Sequence, residues 1–261
     1  MMTEARQLVA QADLGAQESV VQEWLLPAVR LRGRQELGAA WPGGRPSSRF
    51  GGLPRLARGT EWPRTVSGAP MTFVAQVDLA EAGGIPAYYG LPDNGVLSFF
   101  VSNTDGQVLY ARTSTAELTL TDPPEDLPEE ALFGETWLTG FTEITLPGSE
   151  SPQVAALRLP PDGLRAYCRL LRDLNDNAEL PFRAGAIHRL LGHPWPIQWD
   201  VAARAIKMAS DLDWILLLQV RDERFAGLQW GSEGGVAYFL IPRADLAHHR
   251  FERVQLVIQS H

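Results

Sequence analysis

Two glutamines stand where glutamine is costly. Gln76 lies inside the apolar run Met71–Leu79, and Gln219 inside Trp214–Val220. A buried amide costs roughly 1–3 kcal/mol unless it is hydrogen-bonded. Each must therefore bond the other, a backbone group or a ligand. The ligand reading makes the pair the polar floor of a cleft between two β-rich halves, flanked by Trp62, Trp195 and Trp230. Arg49, from the Gly/Pro/Arg-rich loop Gly38–Gly59, would anchor an anion there, and Glu233 or Asp222 would serve as acid or base. The candidate ligand-binding set is thus Arg49, Trp62, Gln76, Trp195, Gln219, Trp230 and Glu233. The structural reading of the same residues is a hydrogen bond at the junction of the halves. In that reading the Trp-Pro pairs at Trp41, Trp62 and Trp195 pin loops to a core.

Other reactive types carry weaker patterns. His188 and His193 with Asp200 could ligate a metal in principle, but neither HExxH nor a Cys/His zinc spacing occurs, and no metal or cofactor is expected. Cys168 sits mid-helix beside Arg165, Arg169 and Arg172. A reactive thiolate needs a helix N-terminus or a basic partner, and a buried helix cysteine is the expectation. Ser232 in Gly-Ser-Glu-Gly-Gly lacks the strand-to-helix turn of a nucleophile elbow. Asp211, Asp213, Asp222, Glu223 and Glu233 crowd the second strand pair, where loops use carboxylates as turn caps. Gly-Lys-Ser/Thr is missing after the glycines of 38–59, so no phosphate loop is read there.

The elements that must position these residues repeat one grammar. Phe73–Leu79, a turn at Leu91–Gly95 and Val96–Val101 are matched by Trp214–Val220 and Val236–Ile241. Each copy carries Gln-Val in its first run and Gly-Val at the start of its second. Short apolar runs bounded by Gly and Pro read as buried strands. Further strands are expected at Ala28–Arg32, Gln107–Ala111, Glu117–Thr121, Phe141–Leu146 and Arg253–Ile258. Thr3–Leu26 has helical spacing broken at Gly15 and ended by Pro27. Its polar face carries Glu4, Asp13, Glu18 and Glu23, whereas a membrane-seeking face is basic. Asp162–Leu174 reads as a connector helix with Asp162 as N-cap and Leu164, Tyr167, Cys168 and Leu171 on one face. Ala184–Leu191 is read as a short helix or strand, and Val201–Ser210 is ambiguous. Asp122–Glu130 is an acidic, proline-rich connector.

The fold expected is α+β, mainly antiparallel β. An N-terminal helix (1–27) precedes a first β-rich half (28–150) and a second (151–261). The halves are related by internal duplication and packed as one domain. At 261 residues the chain can bury a sizeable core, and its composition, 45% hydrophobic and 21% charged, is that of a globular protein. The formal net charge of −8 disfavours nucleic-acid backbones and favours a protein partner with a basic surface. A single cysteine and an N-terminus without an apolar signal core point to a cytoplasmic location.

Several blocks together carry a resemblance: Ser48–Pro63 (SRFGGLPRLARGTEWP), Phe73–Leu79, Leu91–Phe100, Leu190–Gln198 (LLGHPWPIQ), Trp214–Val220, Trp230–Ile241 (WGSEGGVAYFLI) and Asp245–Gln259. In order and spacing the chain resembles the YwqG-like family, a bacterial domain of unknown function, from about Ala28 onward. It departs at Ser232, where the family usually carries an acid, and at its Gln-Ser-His ending. The resemblance implies a mainly-β fold of two similar halves and no activity. Some relatives are suspected of immunity- or antitoxin-type roles, an association rather than a physical argument. The expectation is a non-enzymatic binding protein. The alternative is a small-ligand-binding protein or hydrolase-type enzyme using a cleft between the halves.

Overall fold

The computed structural model describes residues 1–33, 46–103, 105–175, 188–198, 213–223, 226–231 and 234–260. Glu233, Ser232, Asp200, Asp211, Trp41, residues 184–187 and Val201–Ser210 lie outside them.

The strand grammar holds in outline. The first strands are β1 (Leu26–Gly33), β2 (Arg49–Phe50), β3 (Arg55–Leu56), β4 (Thr72–Asp78), β5 (Val96–Val101) and β6 (Gly106–Ala111). Then come β7 (Thr119–Leu120), β8 (Thr136–Thr145), β9 (His188–Leu190), β10 (Trp214–Arg221), β11 (Val236–Pro242) and β12 (Gln255–Gln259). Ten of them form one antiparallel sheet in the order β12-β11-β10-β9-β1-β8-β2-β4-β5-β6, while β3 and β7 pair separately. The expected halves therefore share a single sheet. β1 lies at its middle, between β8 and β9.

The sheet curls until its ends meet. Phe99 of β5 and Phe239 of β11 have six strands between them in the ladder, yet their rings touch at 5.1 Å. A Cβ on Gly106 of β6 would fall 3.1 Å from Leu256 of β12, so a larger residue there would push the two edges apart by a few tenths of an ångström. The inside of the curl is the main apolar core, with Val29, Leu31, Phe50, Leu97, Leu138 and Leu190 among its members. Alternation along β1 and β8 sends Arg30, Arg32, Trp137 and Glu143 to the opposite face.

Some ladder details recur on both flanks. β4–β5 skips Val74 and β10–β11 skips Leu217, each two residues before its glutamine. The skipped residues accept matching bonds, Gly51 N–H to Val74 (2.9 Å) and Leu191 N–H to Leu217 (3.1 Å). Arg49 is registered opposite Gln76, and Arg189 opposite Gln219.

The N-terminal and connector helices form a separate layer, while two short helices add Ile85 and Leu246 to the main core. α1 (Met2–Gln11) and α2 (Glu18–Glu23) are broken at Gly15, whose φ is +57°. Next are α3 (Ile85–Tyr88), α4 (Pro152–Ala156), α5 (Pro161–Asn175) and α6 (Arg243–Ala247). α5 buries Ala166, Tyr167, Leu170, Leu171 and Leu174 against Val9, Val21 and Leu146. Leu164 is 41% exposed, because it sits on the helix's solvent stripe; Cys168 is only half-buried, and Asp162 lies within the first turn rather than capping it. The expected face was thus rotated slightly from the one that packs.

Candidate functional site

Gln76 is fully buried, and its amide behaves as a short strand. It accepts from Arg55 N–H (3.2 Å) and donates to Arg55 C=O (2.7 Å) and Ser98 Oγ (2.7 Å). Gln219 accepts from Trp195 N–H at 2.8 Å. Beside it Tyr238 OH donates to Trp195 C=O (2.9 Å), and Gln259 accepts from Ile197 N–H (3.0 Å). Each amide clamps an outer segment onto its own flank. Four strands separate β4 from β10, so the two glutamines do not meet.

The tryptophans do not converge either. Trp62 donates to Met71 C=O (2.8 Å) and meets Phe100 edge-on at 5.4 Å. Trp195 lies over the Gln219 flank, and Trp230 belongs to the main core. Arg49 is buried, only 1% exposed. Its guanidinium donates to Ser47 C=O (3.3 Å) and Leu53 C=O (2.7 Å), lies 3.7 Å from Glu135, and sits over the Trp137 ring. Burial pulls it down to about 10, which leaves it charged at neutral pH. It fastens the loop around β2.

The carboxylates are equally occupied. Asp222 accepts from the N–H groups of Trp230 (2.8 Å), Gly234 (2.8 Å) and Gly235 (3.1 Å), which makes it the brace of the β10–β11 turn. Asp213 pairs with Arg243 at 2.7 Å. Glu223 faces His188, Nε2 to Oε2 3.5 Å, with both side chains buried. His188 Nδ1 accepts from Arg221 N–H at 3.2 Å, so the ring's proton is on Nε2. A hydroxyl nucleophile needs an imidazole nitrogen free to accept its proton. Here one nitrogen accepts from backbone and the other points at a carboxylate.

The strongest charge cluster escaped the sequence reading. On the face opposite the core, Glu143 receives Arg30 (Nε 2.7 Å, Nη2 2.6 Å) and Arg189 (Nε 2.5 Å). All three are buried, and Arg189 also donates to His193 C=O (2.8 Å). Burial works to raise the Glu143 pKa, but the fields and hydrogen bonds of Arg189 and Arg30 together outweigh it and hold it below the usual range. The signal was present in Ala-Val-Arg-Leu-Arg-Gly (28–33), where arginines alternate with apolar residues.

His193 ties the helical layer to this centre. Its Nε2 donates to Trp24 C=O at 2.8 Å, and its N–H bonds Thr145 Oγ1 at 3.0 Å. Desolvation, with Arg189 and Arg243 nearby, pulls its pKa down to about 4. The unfolded chain then binds the extra proton first, near pH 6.5. Stability is full above about pH 6.5 and falls as the pH drops toward 4, by on the order of 3 kcal/mol. His193→Gln, whose Nε2 can keep a donor for Trp24, is expected to flatten that part of a urea-midpoint-versus-pH curve. An unchanged slope would contradict it.

One surface has its polar groups turned outward. Between β7 and β8 the chain exposes Asp122, Glu125, Asp126, Glu129 and Glu130, with Glu117 just before and Glu135 just after. Leu118 and Leu127 are buried beneath it, Thr121 N–H bonds Pro54 C=O (2.9 Å), and Arg64 grips both oxygens of Asp126 (2.7 and 2.9 Å). The sequence marked this stretch only as a connector; its carboxylates interleaved with prolines were the available sign of a fixed acidic ridge. Open grooves among the described residues include one of about 640 Å³ between the α1–α2 turn and α5, and one of about 540 Å³ lined by α1, β8 and the end of α5.

Fold and polar network define a mainly antiparallel β protein, a curled ten-stranded sheet with internal ion pairs and an acidic outer ridge. The chain belongs to the family described as Domain of unknown function (DUF1963), which matches residues 48–260. No curated protein matches it. Among the described residues, no helix is long and apolar enough to cross a membrane, and no group of three or more His, Cys, Asp or Glu could hold a metal ion.

Proposed function

We propose that this protein is a non-enzymatic binding protein whose ligand is a protein with a basic surface, and that the ridge Glu117–Glu135 receives it. The observation that carries this reading is the contrast in how the polar groups are used. Arg49, Gln76, Asp222 and Gln219 have structural partners, and Asp126 is held by Arg64, whereas Asp122, Glu125, Glu129 and Glu130 are exposed on a segment anchored by Leu118 and Leu127. Such a field speeds encounter with a cationic partner and selects against acidic ones. An immunity-type role in the cytoplasm, in line with the YwqG-like resemblance, is the version we favour.

We also propose that the fold arose by duplication. Leu26–Ala111 and Thr136–Gln259 supply five sheet strands each in the same order, with matched skips at Val74 and Leu217. Their first strands, β1 and β8, pair with each other and with the opposite copy's second strand. In this reading the two copies are joined through residues 112–135.

The ridge reading is tested by neutralising Asp122, Glu125, Glu129 and Glu130 to their amides. Extract from the native host is passed over wild-type and variant protein at low and high salt. Wild type is expected to retain a basic protein that both the variant and high salt release. Equal retention by the two proteins would overturn the reading.

A further inference from the structure

The β3–β7 pair carries a second, more specific feature. Thr121 N–H bonds Pro54 C=O, so these two residues form a bonded rung. In an antiparallel ladder the next rung, Arg55 opposite Leu120, is then a non-bonded one, whose N–H and C=O groups point away from the partner strand. On the β3 side the outward groups of Arg55 are taken by the Gln76 amide. On the β7 side no described residue takes those of Leu120, and Leu120 is 52% exposed. Thr119 beside it is exposed too. A strand edge with outward N–H and C=O groups is a template for another strand.

We propose that the outer edge of β7 docks an extended, lysine- or arginine-rich segment of the partner, which adds as a third strand to the β3–β7 pair. Main-chain bonds to Leu120 supply affinity in this mode, and side-chain contacts supply choice. The occupant is argued from charge: Glu117, Asp122 and Glu125, all exposed, flank the edge in sequence, so cations on the added strand are favoured there. The inference rests on the reading of the ridge as a surface for a basic partner, and it adds how that partner is held.

The test uses two synthetic heptapeptides of equal charge, one alternating lysine with leucine and one alternating lysine with proline. Proline has no N–H to offer, so the second peptide keeps the charge and loses the ladder. In titrations of the full chain followed by amide NMR, the lysine–leucine peptide is expected to bind about tenfold tighter, the worth of one or two net hydrogen bonds. It should also slow exchange of the Leu120 amide. Leu120→Pro, which removes the outward N–H and spares the Thr121–Pro54 bond, should bring the two affinities together. If both peptides bind wild type equally and Leu120 exchange is unchanged, strand addition is wrong and the ridge reading survives. If Leu120→Pro leaves the leucine peptide's advantage intact, strand addition is also wrong. If neither peptide binds, both readings fail.

Discussion

A chain truncated to residues 34–261 is expected not to fold. The family match begins at residue 48, yet β1 at Leu26–Gly33 is the central strand of the sheet. Without it β8 loses all eight of its β1 partners, from Leu26↔Thr145 to Gly33↔Leu138, and β9 loses its pairs at Val29, Arg30 and Leu31. Val29 and Leu31 leave the core, and Glu143 loses Arg30. Each buried, unpaired backbone group and each stranded charge costs on the order of kcal/mol, against a total stability of only about 5–15 kcal/mol. The truncated chain should be aggregated or show an unfolded spectrum, and a peptide of residues 1–33 added during refolding should restore soluble protein. A cooperative thermal transition in the 34–261 chain alone would show that β1 is dispensable.

Glu143→Gln is expected to cost about 3–5 kcal/mol, because removing one member of a buried ion network leaves the rest uncompensated. For a chain of this size that lowers Tm by on the order of 10 °C. The pH dependence has a definite sign. Glu143 has a lowered pKa in the folded protein, so its contribution is present above its unfolded value near pH 4.3 and lost as the pH falls through the folded value. Wild type should therefore lose stability across that acid limb, and the variant should lose less. Replacement of Arg30, Glu143 and Arg189 together by apolar residues of similar volume is expected to recover much of the deficit. A single-variant cost below 1 kcal/mol would mean that the network contributes little.

Sequence periodicity identified strands well where both faces are buried. Val96–Val101 was found to the residue, and Trp214–Val220 and Val236–Ile241 within one, because unbroken apolar runs ended by Gly or Pro have few alternative structures. β8 was half missed: Thr136–Gly140 has Leu138 as its one buried apolar residue among Thr, Trp and Gly, too weak a pattern to read alone. β2, only two residues long, and β9, three, are fixed by neighbours rather than by local preference. The glutamines were rightly singled out as buried groups in need of partners. Their partners were invisible because Arg55 and Trp195 lie 21 and 24 residues away on outer segments. The Arg30–Glu143–Arg189 network spans 113 and 46 residues, and such pairing depends on strand order, which composition does not carry.

Interior polar residues hold the fold, and we propose that recognition takes place on the acidic ridge. Hydrogen exchange compared between the free protein and its complex with the captured basic partner tests this most directly. Slowed exchange across 117–135, with unchanged exchange around Arg49, Gln76 and Gln219, is the predicted result. Protection centred on those three residues, with none on the ridge, would contradict it.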